Sequence, residues 1–203
     1  MLQPSNALHR VRSAAPASPP RSSPGPCVSG IRVFGNVLYK ISNHGILHGG
    51  GRDNIIENNL IARCGRGLSG DSRGLTAINN TPGDSWNLLA RLKQDGIKYQ
   101  QPPWSTAYPE LALIPDSWTA ISDPAQLWRY PQGSVFSRNA GFANTTFKSE
   151  SNYGGTGTFD KYKELEDNIE DQDLLFVDEA KLDLTLEPAS PALAISVENP
   201  TST

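Results

Sequence analysis

Two stretches of this chain are variants of one another. Residues from Gly35 (GNVLYKISNHGILHGG) lie over those from Asn58 (NNLIARCGRGLSGD), so that Asn36 aligns with Asn59, Val37 with Leu60, Ile41 with Cys64, Gly45 with Gly67 and Ile46 with Leu68. The offset is 23 residues, falling to 22 after one gap. A short period built of β-formers, Asn and Gly, without the 3.6-residue pattern of a helix, is the signature of strands stacked as a solenoid. Each unit buries its apolar side against its neighbours, so function must be sought on the outside of the stack.

A third copy follows at SVFSRNAGF, which places Val135, Phe136 and Asn139 over Ile55, Ile56 and Asn59. Asn recurring at one corner has a physical reason. It tolerates a left-handed bend, and its amide can hydrogen-bond the backbone of its own turn and of the next. Asn36, Asn59 and Asn139 therefore read as a structural ladder and not as a site.

The charge pattern narrows the partners. Six Arg or Lys precede Asp53, the first acid, whereas from Asp160 onward twelve acids face three lysines. An acidic end of this kind is a solvated face and argues against nucleic acid, which needs a basic stripe. Cys27 and Cys64 have neither CxxC spacing nor histidines in metal-site order, so no metal site is expected, and Cys64, in the place of Ile41, reads as a small buried hydrophobe. No apolar run approaches the roughly 18 residues of a membrane span. Residues 1–30, rich in Pro, Ser and Arg and without an acid, read as a disordered tail lacking the apolar core of a secretory signal. The tail reads as foreign to the stack, and residues 196–203 as a flexible C-terminus.

Residues 74–132 differ in texture and read as a small helical lobe inserted between the second and third copies. Asp84 is placed to cap SWNLLARLKQ, Gly96 to stop it, Pro109 to open a helix at YPELALI, and Asp123 with Pro124 to start another at DPAQLW. Its tryptophans, Trp86 and Trp104 among them, read first as packing between lobe and stack. KYKELEDNIED reads as an irregular outer turn, because its DNI matches the DNI at Asp53. Leu175 and Val177, then Leu182, Leu184 and Leu186, alternate as a closing strand pair.

GGGRDNIIENNLIARC, followed by Gly and an Asp-x-Arg-Gly, together with the closing FVDEAKLDLTLEPASPA, resembles the right-handed parallel β-helix repeat proteins of the pectate-lyase-like superfamily. The resemblance spans about residues 30–195 and rests on Phe176-Val177-Asp178, the strand Leu182 to Leu186, and Ser190-Pro191-Ala192. It implies a mainly β fold, a right-handed parallel β-helix of few turns over 31–195 with the helical lobe inserted. It also implies an extracellular or periplasmic protein that acts on or binds a polysaccharide, as a lyase or glycosidase, with calcium the one conceivable cofactor. Family members stack many more turns, so the chain reads as the C-terminal portion of such a helix. Its first turn, from Ile31, would leave an apolar edge open to further turns, the tail or another chain.

Parity within the repeat singles out candidate chemistry. If Ile46 and Leu68 point inward, then Leu47 and Ser69, and after them Gly49 and Asp71, point outward. Arg73 shares the face of Asp71, and a guanidinium beside a carboxylate keeps it ionised. A lyase would use Arg73 or Arg52 to neutralise a uronate carboxylate, and a hydrolase would pair Asp71 with Glu57, Asp53 or Asp84. Asp71, Arg73 and Glu57 are thus the catalytic candidates, and Arg52, Trp86 and Trp104 the substrate-binding ones. Asp71 with Arg73 reads equally as a structural pair. His44 and His48, four residues apart on one strand, are expected on the same side, as surface or corner histidines without a third metal ligand.

Overall fold

The computed structural model describes residues 29–71, 88–93, 97–150 and 163–195. The expected tail up to residue 28, the C-terminus from 196, Arg73, Asp84, Trp86 and Gly96 lie outside these residues.

The fold is mainly β, with three parallel sheets, because each repeat breaks into three short strands at recurring left-handed residues. The first unit holds β1 (Arg32–Phe34), β2 (Val37–Tyr39) and β3 (His44–Gly49), and the second β4 (Ile55–Glu57), β5 (Leu60–Ala62) and β6 (Arg66–Asp71). The third holds β7 (Ser134–Ser137), β8 (Ala140–Phe142) and β9 (Thr146–Glu150), and β10 (Lys163–Glu166) begins a fourth. Like strands pair with like. The first sheet runs β1-β4-β7-β10, the second β2-β5-β8 and the third β3-β6-β9. The register agrees with the sequence alignment: Val37 opposes Leu60, Ile46 opposes Leu68, and Ile55 and Ile56 oppose Val135 and Phe136.

One core serves all three sheets. Ile56 and Phe136 from the first, Ile61 from the second, and Leu68 and Phe147 from the third pack together with Cys64. Burial pushes the Cys64 thiol pKa up, as suits a residue used for packing. Gly141 lies beneath Phe147, and a Cβ there would come within 2.5 Å of Glu170 O, so nothing larger fits.

The asparagines form a ladder one step longer than expected. Asn36 Nδ2 donates to Asn59 Oδ1, Asn59 Nδ2 to Asn139 Oδ1, and Asn139 Nδ2 to Asn168 Oδ1, each at 2.9 Å. The left-handed bend falls one residue before each of them, at Gly35, Asn58, Arg138 and Asp167 (φ 65°, 53°, 51° and 49°). The DNI at Asp167 is therefore the counterpart of NNL at Asn58, not of the DNI at Asp53. The segment before it is strand β10 rather than an irregular turn.

The closing segment is the expected strand pair, β11 (Phe176–Asp178) antiparallel to β12 (Asp183–Leu186), followed by α5 (Pro191–Ala194). Its facing differs from the expectation, since Phe176 packs inward and Val177 is exposed. Leu60 and Ala62, on the opposite side of β5 from Ile61, join Leu174, Phe176, Leu186 and Ala192 in a second core. The C-terminal segment thus covers the outer side of the second sheet. In the lobe lie α1 (Leu88–Leu92), α2 (Trp104–Ala107), α3 (Pro109–Ala112, with Pro109 at its first turn) and α4 (Trp118–Ser122). Asp123 caps only a turn, accepting from Ala125 N; the helix precedes it and is capped by Ser117.

Candidate functional site

The third sheet gathers the groups best suited to chemistry. His44, at the start of β3, opposes Arg66 at the start of β6, and Leu47, Ser69 and Ser149 form one row across β3, β6 and β9. His44 Nδ1 lies 2.7 Å from Ser69 Oγ, which lies 2.7 Å from Ser149 Oγ. Arg66 Nη1 approaches His44 Nε2 at 3.4 Å and Asn43 Oδ1 at 3.4 Å. A guanidinium can only donate, so neutral His44 accepts at Nε2 and carries its proton on Nδ1. Nδ1 then donates to Ser69, whose hydroxyl shares a further hydrogen bond with Ser149. The imidazole proton therefore points at Ser69, and the imidazole is not set to deprotonate it.

Electrostatics favour the neutral imidazole. Burial lowers the His44 pKa, and Arg66 lowers it further against the opposing pull of Asp71. Asp71 stands opposite Gly49, as the repeat parity requires, yet it is buried, at 1% exposure, rather than lying on an open face. Arg66 is exposed and His44 and Ser149 are half-buried, whereas Ser69 between them is as buried as Asp71.

The remaining candidates are dispersed. Glu57 lies on β4 of the first sheet, where Arg32 and Arg138, from the units on either side, donate to its two oxygens Oε1 and Oε2. Such a doubly held carboxylate serves as a tie between three units. Arg52 lays its guanidinium over the Trp128 ring, 4.9 Å from the centroid, so it pins the lobe to a corner of the stack. Trp104 is 38% exposed and stacks with Tyr108 at 6.3 Å, an aromatic platform open to solvent. Arg73 and Trp86 fall outside the described residues.

The histidines differ from expectation. His44 reaches Ser69 in the outer row, whereas His48 is buried, its ring edge-on to Phe136 and its Nε2 2.7 Å from Asn54 Nδ2. A Cβ on Gly45 would lie 2.9 Å from Ile61 of the core, on which its neighbour Ile46 also packs, so period-two parity fails across this pair. Among the described residues no group of three His, Cys, Asp or Glu could hold a metal ion, and no helix is long and apolar enough to cross a membrane. The Ser69–Ser149 pair escaped the sequence reading, although extending the third copy past Phe142 sets FKSE over GLSG and aligns them. Comparison of the chain with models of protein families, with curated proteins and with solved structures returns no match.

Proposed function

We propose that this chain is a right-handed parallel β-helix protein of the pectate-lyase-like kind, working outside the cytoplasm, and that it engages an acidic polysaccharide along the outside of its third sheet. The observation that carries this reading is the row His44–Ser69–Ser149, flanked by exposed Arg66 and by Asp71. Parallel strands repeat about every 4.8 Å, so like groups recur along a line, which suits a polymer. Arg66 takes the part first given to Arg73 or Arg52: it faces a uronate carboxylate through charge-assisted hydrogen bonds. Half-buried His44 and Ser149 meet the sugar hydroxyls, with buried Ser69 linking the two from beneath, and the Trp104–Tyr108 platform offers a ring face for stacking.

Binding is favoured over cleavage. Proton abstraction needs a base with a free lone pair at the substrate, and hydrolysis needs two carboxylates a few ångströms apart. Asp71 is buried and Glu57 is held by two arginines, so neither is presented as a nucleophile or an acid. A non-catalytic glycan-binding module is therefore the preferred form of the reading, with lyase or glycosidase activity the stronger claim to test.

The experiment is a binding and cleavage panel of uronate and neutral polysaccharides. Binding to uronates that weakens about tenfold in Arg66→Ala, the scale of one charge-assisted hydrogen bond, supports it. Retention of uronate binding by Arg66→Ala, or no binding to any polymer, refutes it. Release of unsaturated or reducing ends, lost in Asp71→Asn at unchanged melting temperature, would restore the catalytic form.

A further inference from the structure

The two ends of the stack are unsatisfied in complementary ways. At the N-terminal end, Asn36 Oδ1 is buried and has no hydrogen-bond partner among the described residues, though Asn36 itself is only 6% exposed. The equivalent oxygen of Asn59 receives two donors, the backbone N–H and the Nδ2 of Asn36. At the other end Asn168 spends one amide hydrogen on Phe136 O, and its second amide hydrogen and backbone N–H have no acceptor among the described residues. Asn168 thus holds the two donors that Asn36 lacks.

Apolar surface follows the same logic. Val33, Leu38, Ile41 and Ile46 of the first unit are only half-buried, whereas Ile56, Ile61, Cys64 and Leu68, their counterparts one unit on, are 2% exposed or less. Among the described residues, what buries the second unit has no counterpart over the first. Among the described residues the edges of the first sheet are β1 and β10, and each presents a side of a parallel ladder without a partner strand. Charge completes the match: Arg32 and Lys40 lie in the first unit, and Glu166, Asp167, Glu170, Asp171 and Asp173 at and after β10.

We infer that copies of this chain stack head to tail, β10 of one copy pairing in parallel with β1 of the next, so that the asparagine ladder runs on from Asn168 into Asn36 of a second copy. The contact is heterologous and does not close, so stacking yields short linear arrays instead of a fixed dimer. It rests on the ends of the ladder and of the core and stands whether or not a glycan is bound.

Sedimentation velocity of the full chain, over a range of protein and salt concentrations, tests it. The expected result is a mass that rises with concentration through multiples of 22.0 kDa and falls as salt screens the opposed charges. Leu38→Lys blocks the first end and Leu165→Lys the other, and circular dichroism checks that each is folded. Each variant alone should remain at one copy, and an equimolar mixture should form a pair and nothing larger, since only one competent junction is left. Ile31→Lys, at an already exposed position, replaces Leu38→Lys if that variant unfolds. A wild-type chain that stays monomeric at its highest soluble concentration, a symmetric dimer that saturates at two copies, or self-association undiminished in the folded end-blocked variants overturns the inference.

Discussion

At the scale of single residues, Asn59 ties three units together through its side-chain amide. Its Nδ2 donates to Val33 O, Glu57 O and Asn139 Oδ1, while its Oδ1 accepts twice from Asn36. Leucine there fills the same space but strands buried donors and acceptors in both neighbouring units. Asn59→Leu should therefore lose about 3 kcal/mol or more, from two or so unsatisfied groups. Asn36→Leu removes an oxygen that already lacks a partner and should lose only about 1 kcal/mol. Urea unfolding of the two variants measures the difference, and equal losses would contradict the ladder. That asparagines would stack was legible in the sequence because one residue type recurs at one offset. The bend preceding them was not. Gly35, Asn58 and Asp167 are types that tolerate the left-handed backbone, but Arg138 is not, and there it is imposed by the stacking of the strands on either side.

The elements are joined by one clamp in particular. Glu179, in the turn between β11 and β12, accepts from Tyr39 Oη at 2.9 Å and from Arg63 Nη2 at 2.7 Å, tying the C-terminal segment to the first and second units. Hydrogen bonding to Arg63, aided by Tyr39, holds the Glu179 carboxyl below its ordinary value of 4.5. A carboxylate with a depressed pKa adds stability that is complete above the unfolded value and is lost as pH falls through the lower, folded one. The melting temperature of the wild-type chain should thus drop more steeply below pH 4.5 than that of Glu179→Gln. Parallel curves for the two proteins would mean that the clamp contributes nothing. The closing strand pair was legible from its alternating leucines, but the side on which it packs was not. Phe176, Val177 and Leu175 are all apolar, and only contact with Leu60 and Ala62 decides which of them is buried. In the lobe, Asp123-Pro124 carried a stronger helix-start signal than Ser117, yet the turn of helix formed over Trp118–Ser122. Tertiary packing overrides such local preferences in short segments.

For the whole molecule, the C-terminal segment covers the outer side of the second sheet, and on the third Ser69 and Asp71 are buried. The third carries the accessible Arg66 and His44. The first is crossed by the Arg32–Glu57–Arg138 tie. The wall proposed for a glycan and the ends proposed for self-stacking are therefore different surfaces, and a linear array would lengthen the wall without covering it. Both depend on parallel strands lying in register over separations of 23 and 80 residues. Nuclear Overhauser spectroscopy on protein labelled only at asparagine reads that register directly, because side-chain amides in adjacent units lie about 4.8 Å apart. In-register stacking predicts cross-peaks joining Asn36 to Asn59, Asn59 to Asn139 and Asn139 to Asn168, with none from Asn36 to Asn139. A spectrum in which Asn59 and Asn139 show no contact would contradict it.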